Sequence, residues 1–128
     1  NNGLYSVTGR TRTNPTGSVA DLRFAVLACS NYQSGFFNAY RDIVHKNDVD
    51  AVIHLGDYYY EYGLNDFSNN ADSQRFQEPP HEILNLSDYR IRHSFFKLDP
   101  DLRDIHQQFP FINRQQSVNK DREIWCGG

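Results

Sequence analysis

Apolar residues fall in short runs separated by polar stretches, and two of these runs set the frame: Phe24-Ala25-Val26-Leu27-Ala28 and Ala51-Val52-Ile53-His54-Leu55. Runs of this length that end in turn-forming or polar residues predict buried β-strands. Between them lies a polar loop, Ser30-Asn31-Tyr32-Gln33-Ser34-Gly35, followed from Phe36 by Phe37, Tyr40, Ile43 and Val44 at the spacing of one helical face, with an end near Lys46-Asn47-Asp48. Strand, helix and strand in that order predict a βαβ unit. Its crossover is right-handed and its strands lie parallel, so both strands end on the same sheet edge.

Upstream, Leu4 to Thr13 has strand-like stretches with Arg10 and Arg12 on one face, and Asn14-Pro15-Thr16-Gly17 reads as a turn. Downstream, the polar Asn65 to His81 stretch, closing in Pro79-Pro80, is too long for a simple connection and predicts a surface loop or insertion. Ser87-Asp88 opens a helix with Tyr89, His93 and Phe96 inward. A further helix starts at Asp99-Pro100, where Asp caps and Pro fills the first turn, and Leu102, Ile105, His106 and Phe109 follow helical spacing. Phe109 to Ile112 predicts another strand, while Asn113 onward shows no periodicity that would order it.

Composition narrows the picture. A length of 128 residues allows one domain at most. The hydrophobic share of 38%, unchanged when the eight Gly are exchanged for the eight Tyr, lies below the roughly 45–50% of typical soluble domains. The nine Phe and eight Tyr must therefore carry much of the burial. A formal charge of −3 argues against a nucleic-acid partner, which calls for a basic surface. No apolar run approaches the roughly 20 residues of a membrane span. The chain opens Asn1-Asn2-Gly3 without a leader pattern and contains no Met, which suggests a piece of something longer. Two cysteines do not define a redox compartment.

The chemistry gathers at the strand ends. Gly56-Asp57-Tyr58-Tyr59-Tyr60 places a carboxylate and a phenol three residues apart just after the second strand, and Cys29 closes the first. In α/β proteins, ligands collect at the carboxyl ends of parallel strands. A cation gives Asp57 and Tyr60 a reason to sit there, because it neutralises the carboxylate and holds a phenol as phenolate. Against this stand plainer readings: a turn-capping Asp, a buried strand-end Cys and a packed Tyr, with Tyr58 and Tyr59 best read as packing and Glu61 and Tyr62 as rim residues. His54 inside its strand reads as a satisfied core histidine, and His45, His81, His93 and His106 lack zinc spacing. Arg10 and Arg12 could fork onto phosphate or simply line an exposed face. Nothing resembles a phosphate-binding glycine loop or a serine-nucleophile elbow.

Taken together, these segments resemble the alkaline phosphatase D (PhoD-type) metallophosphoesterases. The resemblance runs from Gly9-Arg10-Thr11-Arg12-Thr13 through the Cys29 strand, Gly35-Phe36-Phe37-Asn38-Ala39-Tyr40-Arg41 and His54-Leu55-Gly56-Asp57-Tyr58-Tyr59-Tyr60-Glu61-Tyr62-Gly63. It continues in Glu78-Pro79-Pro80-His81-Glu82, Asp88-Tyr89-Arg90, Lys97 to Leu102 and His106 to Ile112. It implies an α/β fold, here an incomplete metallophosphoesterase-like α/β sandwich beginning with a βαβ unit. It implies Cys29 and Tyr60 on a ferric iron, Asp57 bridging that iron to calcium, hydrolysis of phosphate mono- or diesters, and a periplasmic or extracellular location.

The resemblance stops after Ile112, where the family continues into a Trp-Asp-Asp-His-Glu type motif and further ligands, and this chain reads Asn113-Arg114-Gln115-Gln116-Ser117. The expected organisation is therefore residues 1–13 as the last strand of an N-terminal β domain, 14–112 as a partial metallophosphatase domain and 113–128 as a divergent tail. The expectation is a truncated or frame-shifted phosphatase with little activity alone. The competing reading is a non-catalytic α/β remnant or interaction module. Substrate identity and oligomeric state are not legible.

Overall fold

The structure is a computed structural model and describes residues 8–13, 15–66 and 75–114. A three-stranded sheet is built from β1 (Phe24–Leu27), β2 (Ala51–His54) and β3 (Phe111–Asn113), in the spatial order β1-β2-β3 with both pairs parallel. Helix α1 (Asn38–Lys46) crosses from β1 to β2, and α2 (Leu86–Phe96) and α3 (Pro100–Gln108) lie between β2 and β3. Two right-handed crossovers stepping in the same direction put their helices on the same side of a sheet. That is the arrangement here, with α1 and α3 packed together.

The strand register fixes what each face carries. Ala25, Val52 and Phe111 form one row and Leu27, His54 and Asn113 the next on the same face, while Val26, Ile53 and Ile112 point the other way. The first face meets the core of Phe37, Tyr40, Tyr58, Tyr59, Ile83, Phe96, Leu102, Ile105 and Phe109. The second is open, with Phe24, Val26 and Ile112 exposed by 48%, 58% and 58%. Parallel sheets are ordinarily covered on both faces. The expectation of two fully buried strands is thus met on one face only.

The helices start and stop where the sequence predicts, with small shifts. The α1 helix begins at Asn38 rather than Phe36, because Phe37 occupies the cap, and it ends at Asn47, whose left-handed backbone (φ 49°) donates its N–H to the Ile43 carbonyl. For α2 the cap is Asn85, whose side chain accepts from the Asp88 N–H, so the helix starts slightly ahead of Ser87. For α3 the expected pair holds: the Asp99 side chain accepts from the Leu102 N–H and Pro100 fills the first helical position. The other Asp99 oxygen accepts from Arg75 at 2.7 Å, and that guanidinium lies 3.8 Å from the Tyr32 ring centroid.

Three expectations need correction. Residues 8–13 run as exposed irregular chain rather than strand, held where Arg10 N–H donates to the Gln107 carbonyl and Arg12 pairs with Asp50. Residues 4–7 and Asn14 lie outside the described residues, while Thr16 and Gly17 of the predicted turn do bend. The 65–81 stretch is not wholly superficial, since Arg75, Gln77 and Pro79 are buried, although 67–74 lie outside the described residues. The sheet also runs past Ile112: Asn113 completes β3, and Arg114 N–H donates to the His54 carbonyl. The tail from 115 lies outside the described residues.

Candidate metal site at the strand ends

Backbone pairing does not stop where β1 and β2 end. Leu55 N–H donates to the Leu27 carbonyl, Cys29 N–H to the Gly56 carbonyl and Ser30 N–H to the Asp57 carbonyl at 2.8 Å. The two strand-end loops are thereby stitched together. Within them, Cys29 (φ 58°) and Asp57 (φ 53°) both adopt the left-handed conformation, next to Gly56 at φ 142°. That conformation costs an L-residue about 1–2 kcal/mol, and a thiol-bearing residue gains nothing local from it in return. Such strain tends to mark sites where side-chain direction matters more than stability.

What the strain achieves is convergence. The Cys29 thiol donates to Asp57 Oδ2 at 3.5 Å, and Cys29 is exposed, not the buried cysteine that the plainer reading expects. The Tyr60 phenol lies within reach of the Cys29 thiol, and burial, that thiol and the nearby Asp57 charge together push it up from its ordinary pKa, so it is a neutral phenol. The structure therefore brings Cys29, Asp57 and Tyr60 to one point. Among the described residues, no group of three His, Cys, Asp or Glu side chains is placed to hold a metal ion.

Beneath the corner lies a polar network that sequence reasoning did not identify. Ser30 Oγ is hydrogen-bonded to both the Tyr40 hydroxyl and His54 Nε2, the latter at 2.8 Å, and all three residues are buried. Ser30 thus ties the Cys29 loop to α1 and to β2 at once. His54 is only half satisfied, since its buried Nδ1 has no hydrogen-bond partner among the described residues. Burial lowers its pKa to about 4, partly opposed by Asp57, so the imidazole is neutral. Behind it, the Tyr58 hydroxyl is hydrogen-bonded to His106 Nε2 at 2.8 Å, and His106 stacks on Phe111 with centroids 3.9 Å apart. Tyr58 and Tyr59 are core aromatics, as expected, exposed by 0% and 3%.

The remaining candidates lie elsewhere. Arg12 pairs with Asp50 and Arg23 N–H also donates to that carboxylate, so Asp50 binds the segment ahead of β1 to the start of β2. His81 approaches Asp88 at 3.7 Å on the surface, and His93 packs beside Tyr58 and Tyr59. Arg92, unmarked in the sequence reading, is fully buried. Its position three residues after Tyr89 and four before Phe96 is the signal that could have found it, since that spacing places it on the inner stripe of α2.

A parallel α/β layer here brings thiol, carboxylate and phenol together at adjacent strand ends. The family comparison names the class: a model described as PhoD-like phosphatase matches residues 24–115, and the chain belongs to that family. It is 37% identical over 109 residues to alkaline phosphatase D of Bacillus subtilis (strain 168), covering 84% of this chain and 18% of that protein. A solved structure titled "Structure of PhoD" superposes with a TM-score of 0.72 at 35% identity, covering 80% of this chain and 19% of the other. The chain thus spans under a fifth of the length of these relatives. Among the described residues, no helix is long and apolar enough to cross a membrane.

Proposed function

We propose that this chain contributes part of the metal centre of a phosphoesterase, acting on phosphate mono- or diesters outside the cytoplasm. The observation that carries the reading is the convergence of Cys29 and Asp57, both left-handed, with Tyr60 at adjoining strand ends. Deprotonating the thiol and the phenol beside the Asp57 carboxylate is electrostatically unfavourable until a cation joins them. The donor set suits a trivalent iron, taking a Cys29 thiolate and a Tyr60 phenolate, with the Asp57 carboxylate able to bridge to a calcium ion. Calcium requires about six to eight oxygen ligands, and this corner offers it one carboxylate, so the set is a contribution rather than a whole. When bound, such metals neutralise phosphoryl oxygens and lower the pKa of a bound water.

The chain's own residues do the positioning. Ser30, fixed by Tyr40 and His54, holds the Cys29 loop, and the Cys29–Gly56 and Ser30–Asp57 backbone bonds set the spacing of thiol and carboxylate. The described residues offer three donors, a partial set for two metals. The reading is therefore tested through product binding. The chain is loaded with ferric iron and calcium, and the phosphorus resonance of added orthophosphate is followed. The expected result is paramagnetic broadening with the native chain that is lost in Asp57→Asn. Equal broadening in both, or none in either, overturns the proposal.

A further inference from the structure

Arg92 lies in the second turn of α2, and its guanidinium is sealed from solvent, with a residue exposure of 0%. A guanidinium has five N–H donors and no acceptor, so burying it requires five acceptors in a fixed fork geometry. All of its partners are backbone carbonyls. Nε donates to the Glu78 carbonyl at 3.0 Å, Nη1 to Tyr60 at 2.7 Å and Tyr62 at 3.3 Å, and Nη2 to Pro79 at 2.6 Å and His81 at 3.2 Å. One side chain therefore grips two segments far apart in sequence, the one that carries Tyr60 and the 78–81 turn. The same two segments are joined by Leu64 N–H donating to Pro80 and Ile83 N–H donating to Glu61, and Gln77 adds a bond to the Tyr62 carbonyl.

The Tyr60 segment has no helix or strand of its own to fix it. Asp57 is held by pairing with the Cys29 loop, whereas Tyr60 lies beyond that pairing and its carbonyl is taken by Arg92. We infer that Arg92 is a positioning residue, which pins the Tyr60–Tyr62 segment against the 78–81 turn so that the Tyr60 phenol stays beside Cys29 and Asp57. This rests on the reading of those three residues as a metal corner. Lysine cannot replace the fork, because its three donors leave at least two of the five carbonyls bare. Groups that orient metal ligands typically change metal affinity by about 10–100-fold when removed.

The test compares the native chain, Arg92→Lys, Arg92→Met and the core variant Ile105→Ala. Two readouts are taken: amide hydrogen exchange at Leu64 and Ile83, and titration with ferric ion followed by the visible charge-transfer band of a phenolate–iron bond. The expected result is that both Arg92 variants lose protection at Leu64 and Ile83 and bind ferric ion about tenfold more weakly or worse. Ile105→Ala, although destabilised globally, keeps the relative protection of those amides and the ferric affinity. Arg92→Lys that folds with unchanged protection and affinity within about twofold of native overturns the inference. If the native chain gives no band, the metal reading fails, and exchange still decides the clamp: protection retained in the Arg92 variants overturns it, and protection lost supports it.

Discussion

The two faces of one sheet behave as different materials. On the helix-covered face, Val52 is fully buried beneath Tyr58, Phe96, Leu102, Ile105 and Phe109, and even the polar members Ser30, His54 and Arg92 are enclosed. On the other, Phe24, Val26 and Ile112 stand against solvent although they belong to the same strands. Strand propensity and pairing are shared by both, so the difference lies in what packs on them. The stability of the described residues is concentrated on the covered face, and the proposed metal corner sits at the end of the two strands these faces share. The matched part makes up only 18% and 19% of the relatives, which have ample further chain to cover a second face.

The sharpest way to break this contrast is to cut into the covered face. Phe96 is 1% exposed and contacts the rings of Tyr32, Phe37, Tyr58 and Tyr59. Phe96→Ala is expected to cost about 3–5 kcal/mol in urea unfolding, enough to leave much of the population unfolded. A cost below about 1 kcal/mol would show that this face is not where the fold is held.

Acid attacks the same face by another route. His54 and His106 are buried neutral with pKa values of about 4, His106 through burial and then its neighbours Lys97, His93 and His54, beside which a second positive charge is disfavoured. In the unfolded chain each returns to its ordinary value of about 6.5. Between those values the unfolded state binds more protons, so stability is fully present above pH 6.5 and is lost as pH falls toward 4. Each group contributes up to about 3 kcal/mol over that window, and urea midpoints against pH should flatten in His106→Gln.

A smaller effect with the opposite sign is expected at the corner. Cys29→Gly relieves a left-handed φ of 58° and should raise stability by about 1 kcal/mol while removing a donor. Thermal unfolding checks it, and a loss of stability would mean that the Cys29 side chain contributes more packing than its exposed position suggests. Smallest of all, Val26→Thr on the open face should shift stability by no more than about 0.5 kcal/mol and lower the binding of an apolar dye. A large loss would mean that the open face is covered in solution.

Much of the covered face was legible in advance, because its elements obey local rules. The Phe37, Tyr40, Ile43 and Val44 spacing marked α1, Asp99-Pro100 marked the start of α3, and the two apolar runs marked parallel strands. Cys29 and Asp57 followed from topology, since parallel strands must end on one edge. What stayed hidden were pairings between distant segments. Ser30, Tyr40 and His54 are ordinary residues until the fold brings them together, and the burial of Arg92 depends on five carbonyls from segments with no secondary structure. The polar composition around Arg75 and Gln77 read as surface for the same reason: their partners, Asp99 and the Tyr62 carbonyl, lie far away in sequence. Phe24 and Val26 erred the other way, since an apolar run cannot say whether both of its faces find cover.

Whether the strand-end corner holds metal is addressed most directly by elemental analysis. The native chain, Cys29→Ala and Asp57→Asn are dialysed against trace ferric iron and calcium, and bound metal is counted per chain. Near-stoichiometric iron is expected in the native chain, and its loss in both variants. Iron absent from the native chain, or retained equally in all three, would contradict the proposal.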